Sequence, residues 1–193
     1  MRRTLVVSAL VVLAGVSPLL AQPAQPLVGE NPVKVSDHVW AIMGFPNIGI
    51  VVGTRATLVV DTGLGPMNGA TAARVAARLS NAPKLFLTTT HFHPEHAGGE
   101  PGFPAGTVLI RNAVQQQEME ANGAAMLDLF RGQNAQNAQL LSGVTSLRTP
   151  DVVFDKELTL DLGGVTVRLP AATAAGRDTR RGAARPRPGG PAP

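Results

Sequence analysis

Three of the chain's four histidines fall inside one six-residue run, His91-Phe92-His93-Pro94-Glu95-His96. An H-x-H pair on extended backbone sends both imidazoles to one side, because side chains alternate with a period of two. Two imidazoles converging from a strand end make part of a zinc site. Zinc takes nitrogen and carboxylate oxygen where no thiolate is on offer, and this chain has no cysteine. Pro94 restrains the turn that follows, and Glu95 and His96 can then reach a second metal ion, or Glu95 can handle a proton. Paired metals would polarise a carbonyl and supply hydroxide at neutral pH. The competing reading is a solvated or structural loop. His38, the fourth histidine, lies in a first hairpin and reads as a strand residue rather than a ligand.

The run needs a rigid element behind it. Lys84 to Thr89 is short, mostly apolar and β-prone, and predicts a buried strand that delivers its last residues to a loop starting at His91. Upstream, Val33–Val35 and His38–Ile42 flank Ser36-Asp37, a hairpin turn. Ile48–Val52 and Thr57–Val60 flank Gly53-Thr54-Arg55, a second hairpin, whose last strand ends in the turn chemistry of Asp61-Thr62-Gly63. Asn68 or Thr71 can cap a helix with Ala73, Val75, Ala76 and Leu79 on its apolar side. The strand–helix–strand order predicts a mixed or parallel sheet with helices outside. Val108–Ile110 is a further strand. The Gln- and Ala-rich segment Asn112 to Leu141 reads as helix, interrupted near Asn122-Gly123 and Arg131-Gly132. Val152–Phe154, Leu158–Leu162 and Val165–Leu169, separated by turn residues, read as a meander.

These residues in this order resemble the metallo-β-lactamase superfamily. That family carries H-x-H-x-D-H after a short strand, with Thr before it and glycines after it. Here the run is Thr90-His91-Phe92-His93-Pro94-Glu95-His96-Ala97-Gly98-Gly99, and Val59-Val60-Asp61-Thr62-Gly63 matches the family's strand ending in an aspartate that braces the ligands. The order of elements agrees from about Val33 to Leu169. The resemblance implies an α/β fold, an αββα sandwich with an incomplete second half, and a zinc-dependent hydrolase acting on a small-molecule substrate. In it a metal-bound hydroxide would attack an ester, lactam, lactone or thioester type bond. It also implies His91 and His93 on one Zn2+ ion, Glu95 and His96 on the other, and Asp61 behind them.

Two departures from the family pattern stand out. Glu95 occupies the aspartate position, and its extra methylene moves the carboxylate outward by roughly a bond length in a site that needs ~0.5 Å placement. The family also completes its site with a histidine in a Gly-x-x-His-Thr type segment, a bridging aspartate and a final histidine. No histidine follows His96. Weak or substoichiometric metal binding is therefore expected. Two functional readings stay open: a zinc hydrolase, and a non-catalytic truncated remnant that holds metal loosely.

The ends of the chain differ from its middle. Arg2-Arg3, the apolar run Thr4–Leu20 and the small-residue exit at Ala21 form a secretory signal over 1–21, which places the protein outside the cytoplasm, periplasmic or secreted. A Pro-rich linker is expected over 22–32 and the folded domain over 33–170. From Ala171 to Pro193 five arginines face one aspartate, which accounts for the whole formal charge of +4. The basic character thus belongs to a tail without large apolar residues, expected to be disordered. It forms no nucleic-acid-binding face. No membrane contact beyond the export signal is expected.

The tail has two origins to choose between. Gly176-Arg177-Asp178-Thr179-Arg180-Arg181-Gly182, re-read in another frame, permits Pro-Gly-His-Thr-Pro-Gly, the kind of segment the family places here. The expectation is a frameshift just after Leu169; a genuine basic terminus is the alternative. Reading the gene in its other frames decides between them.

Overall fold

A computed structural model describes residues 27–171. The expected export segment 1–21, most of the expected tail and the first part of the expected linker lie outside these residues. Seven strands form one sheet in chain order: β1 (Val33–Lys34), β2 (Val39–Ile42), β3 (Ile48–Val52), β4 (Ala56–Val60), β5 (Lys84–Thr88), β6 (Val108–Asn112) and β7 (Val152–Phe154). The first four pair antiparallel through tight hairpins. From β4 onward the pairing is parallel. The change happens where the connections lengthen, since parallel neighbours need a crossover. That crossover is α1 (Pro66–Leu79) between β4 and β5.

Each strand of the central pair feeds both faces, as period-two alternation requires. Ile48, Ile50, Val59, Leu87 and Leu109 face α1 and pack on Ala72, Ala73, Val75 and Ala76. Ala56 and Leu58 face the other way, onto Leu162. This second face is covered by a separate hairpin, β8 (Glu157–Asp161) with β9 (Thr166–Pro170). Val60, Phe86, Leu160, Val167 and Leu169 pack there and remain only partly buried. The protein is thus α/β, with a full first sheet and, among the described residues, a two-stranded second sheet. No helix among them is long and apolar enough to cross a membrane.

The meander expected from Val152 on is divided. β7 continues the parallel edge of the large sheet beside β6, and only β8 and β9 form a hairpin. Asp155-Lys156 is therefore a switch between sheets, which local turn chemistry alone does not distinguish from a hairpin turn. The long helix also differs from expectation. α3 (Ala113–Gln133) runs unbroken through Gly123 before α4 (Ala135–Leu140). Gln115, Met119, Gly123 and Leu127, at successive i,i+4 positions, are its buried stripe. Packing along that stripe outweighs the ~1 kcal/mol that a helical glycine costs. Leu127, Leu140, Leu141 and Val144 close a second core on Leu64, in the loop after β4.

α1 starts earlier than expected, with Gly65 at its cap and Pro66 in the first turn, where proline's fixed φ suits a helix start. Asn68 caps nothing. Its side chain accepts from the Val28 amide at 2.9 Å and donates to the Leu64 carbonyl at 2.6 Å. Val28 is itself core, and Glu30 pairs with Arg74 and Arg78 on α1. The stretch read as linker is therefore built into the domain from its second half onward.

Candidate metal centre

β4 and β5 are parallel neighbours, with Val60 opposite Thr88, so their carboxyl ends open side by side, the usual place for a site in an open α/β sheet. β4 hands over to Asp61, which takes a left-handed φ of 69°. That turn aims its carboxylate across to the loop after β5. The Thr90 amide donates to Asp61 Oδ1 at 2.7 Å, and the Thr90 hydroxyl lies 3.1 Å from each carboxylate oxygen. His96 Nδ1 stands 3.0 Å from Asp61 Oδ2. One buried aspartate thus orients both flanks of the histidine run.

Thr62 fixes the far end of the run. Its hydroxyl donates to the His96 carbonyl at 2.7 Å, its amide donates to the same oxygen at 2.9 Å, and Gly99 N–H donates to the hydroxyl at 2.9 Å. The approach is close enough to demand glycine. A Cβ on Gly99 would lie 2.6 Å from the Thr62 carbonyl oxygen. Between these clamps the chain forms the single turn α2 (Pro94–Ala97), with Pro94 opening it and His93 at its cap. Thr62→Val keeps the shape and strands the buried Gly99 amide. It should cost about 1–3 kcal/mol, read as a lower denaturant midpoint at unchanged slope.

The donors then converge. One ligand atom each from His91, Glu95 and His96 all lie within 4.8 Å of one another. The His91 and His96 rings stand 3.9 Å apart between centroids, and those of His91 and His93 4.7 Å apart. Glu95 is buried, and its Oε2 has no hydrogen-bond partner. A buried carboxylate oxygen without a partner is costly, and a cation among these donors removes the cost. The residues present therefore fit a divalent metal ion with nitrogen and oxygen ligation.

Burial, then the neighbouring imidazoles of His96 and His93, hold His91 below the ordinary histidine pKa. A neutral imidazole is the form that binds metal. The unfolded chain takes up a proton at the ordinary value of 6.5 while the folded one does not. Stability is thus full above 6.5 and falls as pH drops toward the lowered folded value. A drop from pH 7.5 to pH 5 should be more destabilising, by thermal unfolding, for the metal-free protein than for His91→Asn.

The structure brings the expected residues together. The three-donor set is His91, Glu95 and His96, and His91 also lies beside His93, their rings 4.7 Å apart between centroids. His93 stands at the edge, its Nδ1 3.7 Å from Glu95 Oε1 and its ring 6.5 Å from that of Phe130 on α3. His38 is a strand-end residue whose Nδ1 meets the Val52 carbonyl at 2.9 Å. In the sequence Thr62 is one residue of the turn Asp61-Thr62-Gly63 and Thr90 the residue preceding the histidine run, and neither carries a role at the site. Their only sequence signal is position: a threonine directly after the aspartate at one strand end, and one directly before the histidine run at the other. The buried pair Glu100–Arg111, just beyond Gly99, also went unread.

The family model described as the metallo-beta-lactamase superfamily matches residues 41–179. No curated protein sequence matches the chain. Among solved structures, a stereoselective inverting sec-alkylsulfatase from Pseudomonas sp. superposes with a TM-score of 0.51 at 19% identity, over 72% of this chain and 27% of its own. A metallo-beta-lactamase from Cronobacter sakazakii gives 0.51 at 18% identity, over 70% of this chain and 52% of its own. The native metallo-beta-lactamase of Legionella gormanii gives 0.50 at 13%, over 74% and 52%. The match thus spans between about a quarter and half of the length of these structures. At such identities the likeness concerns the fold.

Proposed function

The chain belongs to the metallo-beta-lactamase superfamily, and from that premise we propose that it is a metal-dependent hydrolase, with zinc as its metal and an exported location. The proposal rests on the buried Glu95 carboxylate, whose Oε2 has no hydrogen-bond partner, converging with two imidazoles. His91, Glu95 and His96 would hold the ion. When bound, zinc supplies Lewis acidity toward a scissile carbonyl. The chain's own residues supply the rest. Asp61 and Thr90 orient the imidazoles from behind, Thr62 holds the loop at His96, and His93 stands beside the Glu95 carboxylate. There it can accept or return a proton as a small substrate of ester, lactam, lactone or thioester type is cleaved.

A second reading is favoured by the origin of the donors. All three come from one six-residue segment, and His38 is held in the first hairpin. A module that binds metal without turnover fits that economy of ligands. The two readings separate on purified protein, stripped with chelator and reloaded with zinc. Zinc-dependent hydrolysis of chromogenic ester and β-lactam substrates, abolished by His91→Ala, is expected of the hydrolase. Zinc uptake without turnover on any substrate of the panel would establish the binding module instead.

A further inference from the structure

The Thr90 hydroxyl sits between three functional groups. Its Oγ1 lies 3.1 Å from each oxygen of Asp61, 3.2 Å from Nδ1 of His91 and 3.2 Å from Nδ1 of His96. A threonine hydroxyl has one proton to give and two lone pairs to accept with. A carboxylate can only accept, and the Thr90 hydroxyl donates to Asp61. Both remaining contacts must then be made by hydrogens carried on the imidazoles. His96 meets the same demand twice, because its Nδ1 also stands 3.0 Å from Asp61 Oδ2. A neutral imidazole bears a single N–H. Once that hydrogen is at Nδ1, the lone pair is at Nε2.

We propose that Thr90 is a positioning residue that sets the tautomer of His91 and His96 together, presenting Nε2 of both rings to the metal ion. The inference rests on reading the cluster as a metal centre and extends it to the atoms that do the binding. The polar side of the network is fixed before any ion arrives. Asp61 is buried, is anchored by the Thr90 amide at 2.7 Å, and its own amide donates to the Thr88 carbonyl at 2.9 Å. His93 escapes this control, since its Nδ1 faces Glu95 rather than Thr90. One hydroxyl thus selects two of the three histidines. It also explains a threonine here in terms of its oxygen and not its methyl group, so serine should replace it and valine should not.

The test is made first on the full, metal-free chain at pH 8, labelled with nitrogen-15, by long-range proton–nitrogen correlation of the imidazoles. Signals are assigned with single His→Gln variants. His91 and His96 are expected as Nδ1–H tautomers, with His93 free of that constraint. Thr90→Val should return His91 to a mixed population and lower zinc affinity about 10–100-fold, the usual cost of losing a group that orients a ligand. Thr90→Ser should restore both. Finding His91 in the Nε2–H form in the unaltered protein overturns the proposal without any variant having to fold. So does zinc affinity in Thr90→Val equal to that of the parent. Tautomers and affinities as expected, in a chain that hydrolyses none of the substrate panel, support the inference while defeating the hydrolase reading.

Discussion

Replacing His96 with alanine is expected to lower zinc affinity by more than the ~10–100-fold that loss of an orienting partner alone costs, while leaving the fold in place. The two effects separate because His96 serves the structure and the site through different atoms. Its carbonyl oxygen accepts from the Thr62 amide and hydroxyl, and alanine retains that carbonyl. Its imidazole is one of three converging donors and is the one most firmly held, between Asp61 and Thr90. Its removal leaves His91 and Glu95, too few ligands for a tightly held zinc ion. Competition with a chelator indicator measures the affinity, and thermal unfolding of the metal-free variant checks the fold. Unchanged affinity in a folded variant removes His96 from the ligand set.

The largest effect on stability is expected at Arg111→Met. Arg111 on β6 and Glu100, in the short turn that follows Gly99, form an ion pair with no exposure on either side chain. Arg111 also donates to the Arg148 carbonyl at 3.0 Å and to Gln116 at 2.7 Å, and the Arg148 amide donates to the second Glu100 oxygen at 3.1 Å. The pair therefore ties the downstream flank of the histidine loop to the sheet and to the segment entering β7. Removing one partner leaves a buried carboxyl uncompensated, a loss of about 3–5 kcal/mol. Burial already pushes the Glu100 carboxyl above its ordinary 4.5, and without Arg111 it rises further. A carboxyl whose folded pKa is raised binds its proton more tightly in the native state. The Glu100 contribution to stability thus falls as pH rises from 4.5 through the folded value. The destabilisation of Arg111→Met should accordingly be smaller at pH 5 than at pH 8 in urea titrations. Glu100→Gln combined with Arg111→Met should recover part of it.

What the sequence made legible was local. The turns Ser36-Asp37 and Gly53-Thr54-Arg55 and the β-branched runs beside them delimit β1 to β4 to within a residue or two. They do so because short hairpins are decided by neighbours in the chain. The candidate donors were legible for the same reason, all lying between His91 and His96. Decisions made at a distance were not. Gly123 reads as a helix breaker until the buried stripe of α3 is known. Asp155-Lys156 reads as a hairpin turn until β7 finds β6. Thr90 and Thr62 are ordinary β-formers in sequence, and acquire a role only when two parallel strand ends set them across from Asp61 and His96. The segment leaves the strand at Thr88, three residues before His91, so the loop and the turn at Pro94, rather than strand pleat, decide which donors meet.

His91, Glu95 and His96 are proposed to bind a metal ion together. Cobalt(II) in place of zinc tests it most directly, since its visible spectrum and X-ray absorption report the ligands themselves. The chain loaded with cobalt should show a low-symmetry visible band, and outer-shell scattering from imidazole that weakens when either His91 or His96 is replaced. A spectrum that matches hydrated cobalt, with no imidazole scattering and no change in those variants, would contradict it.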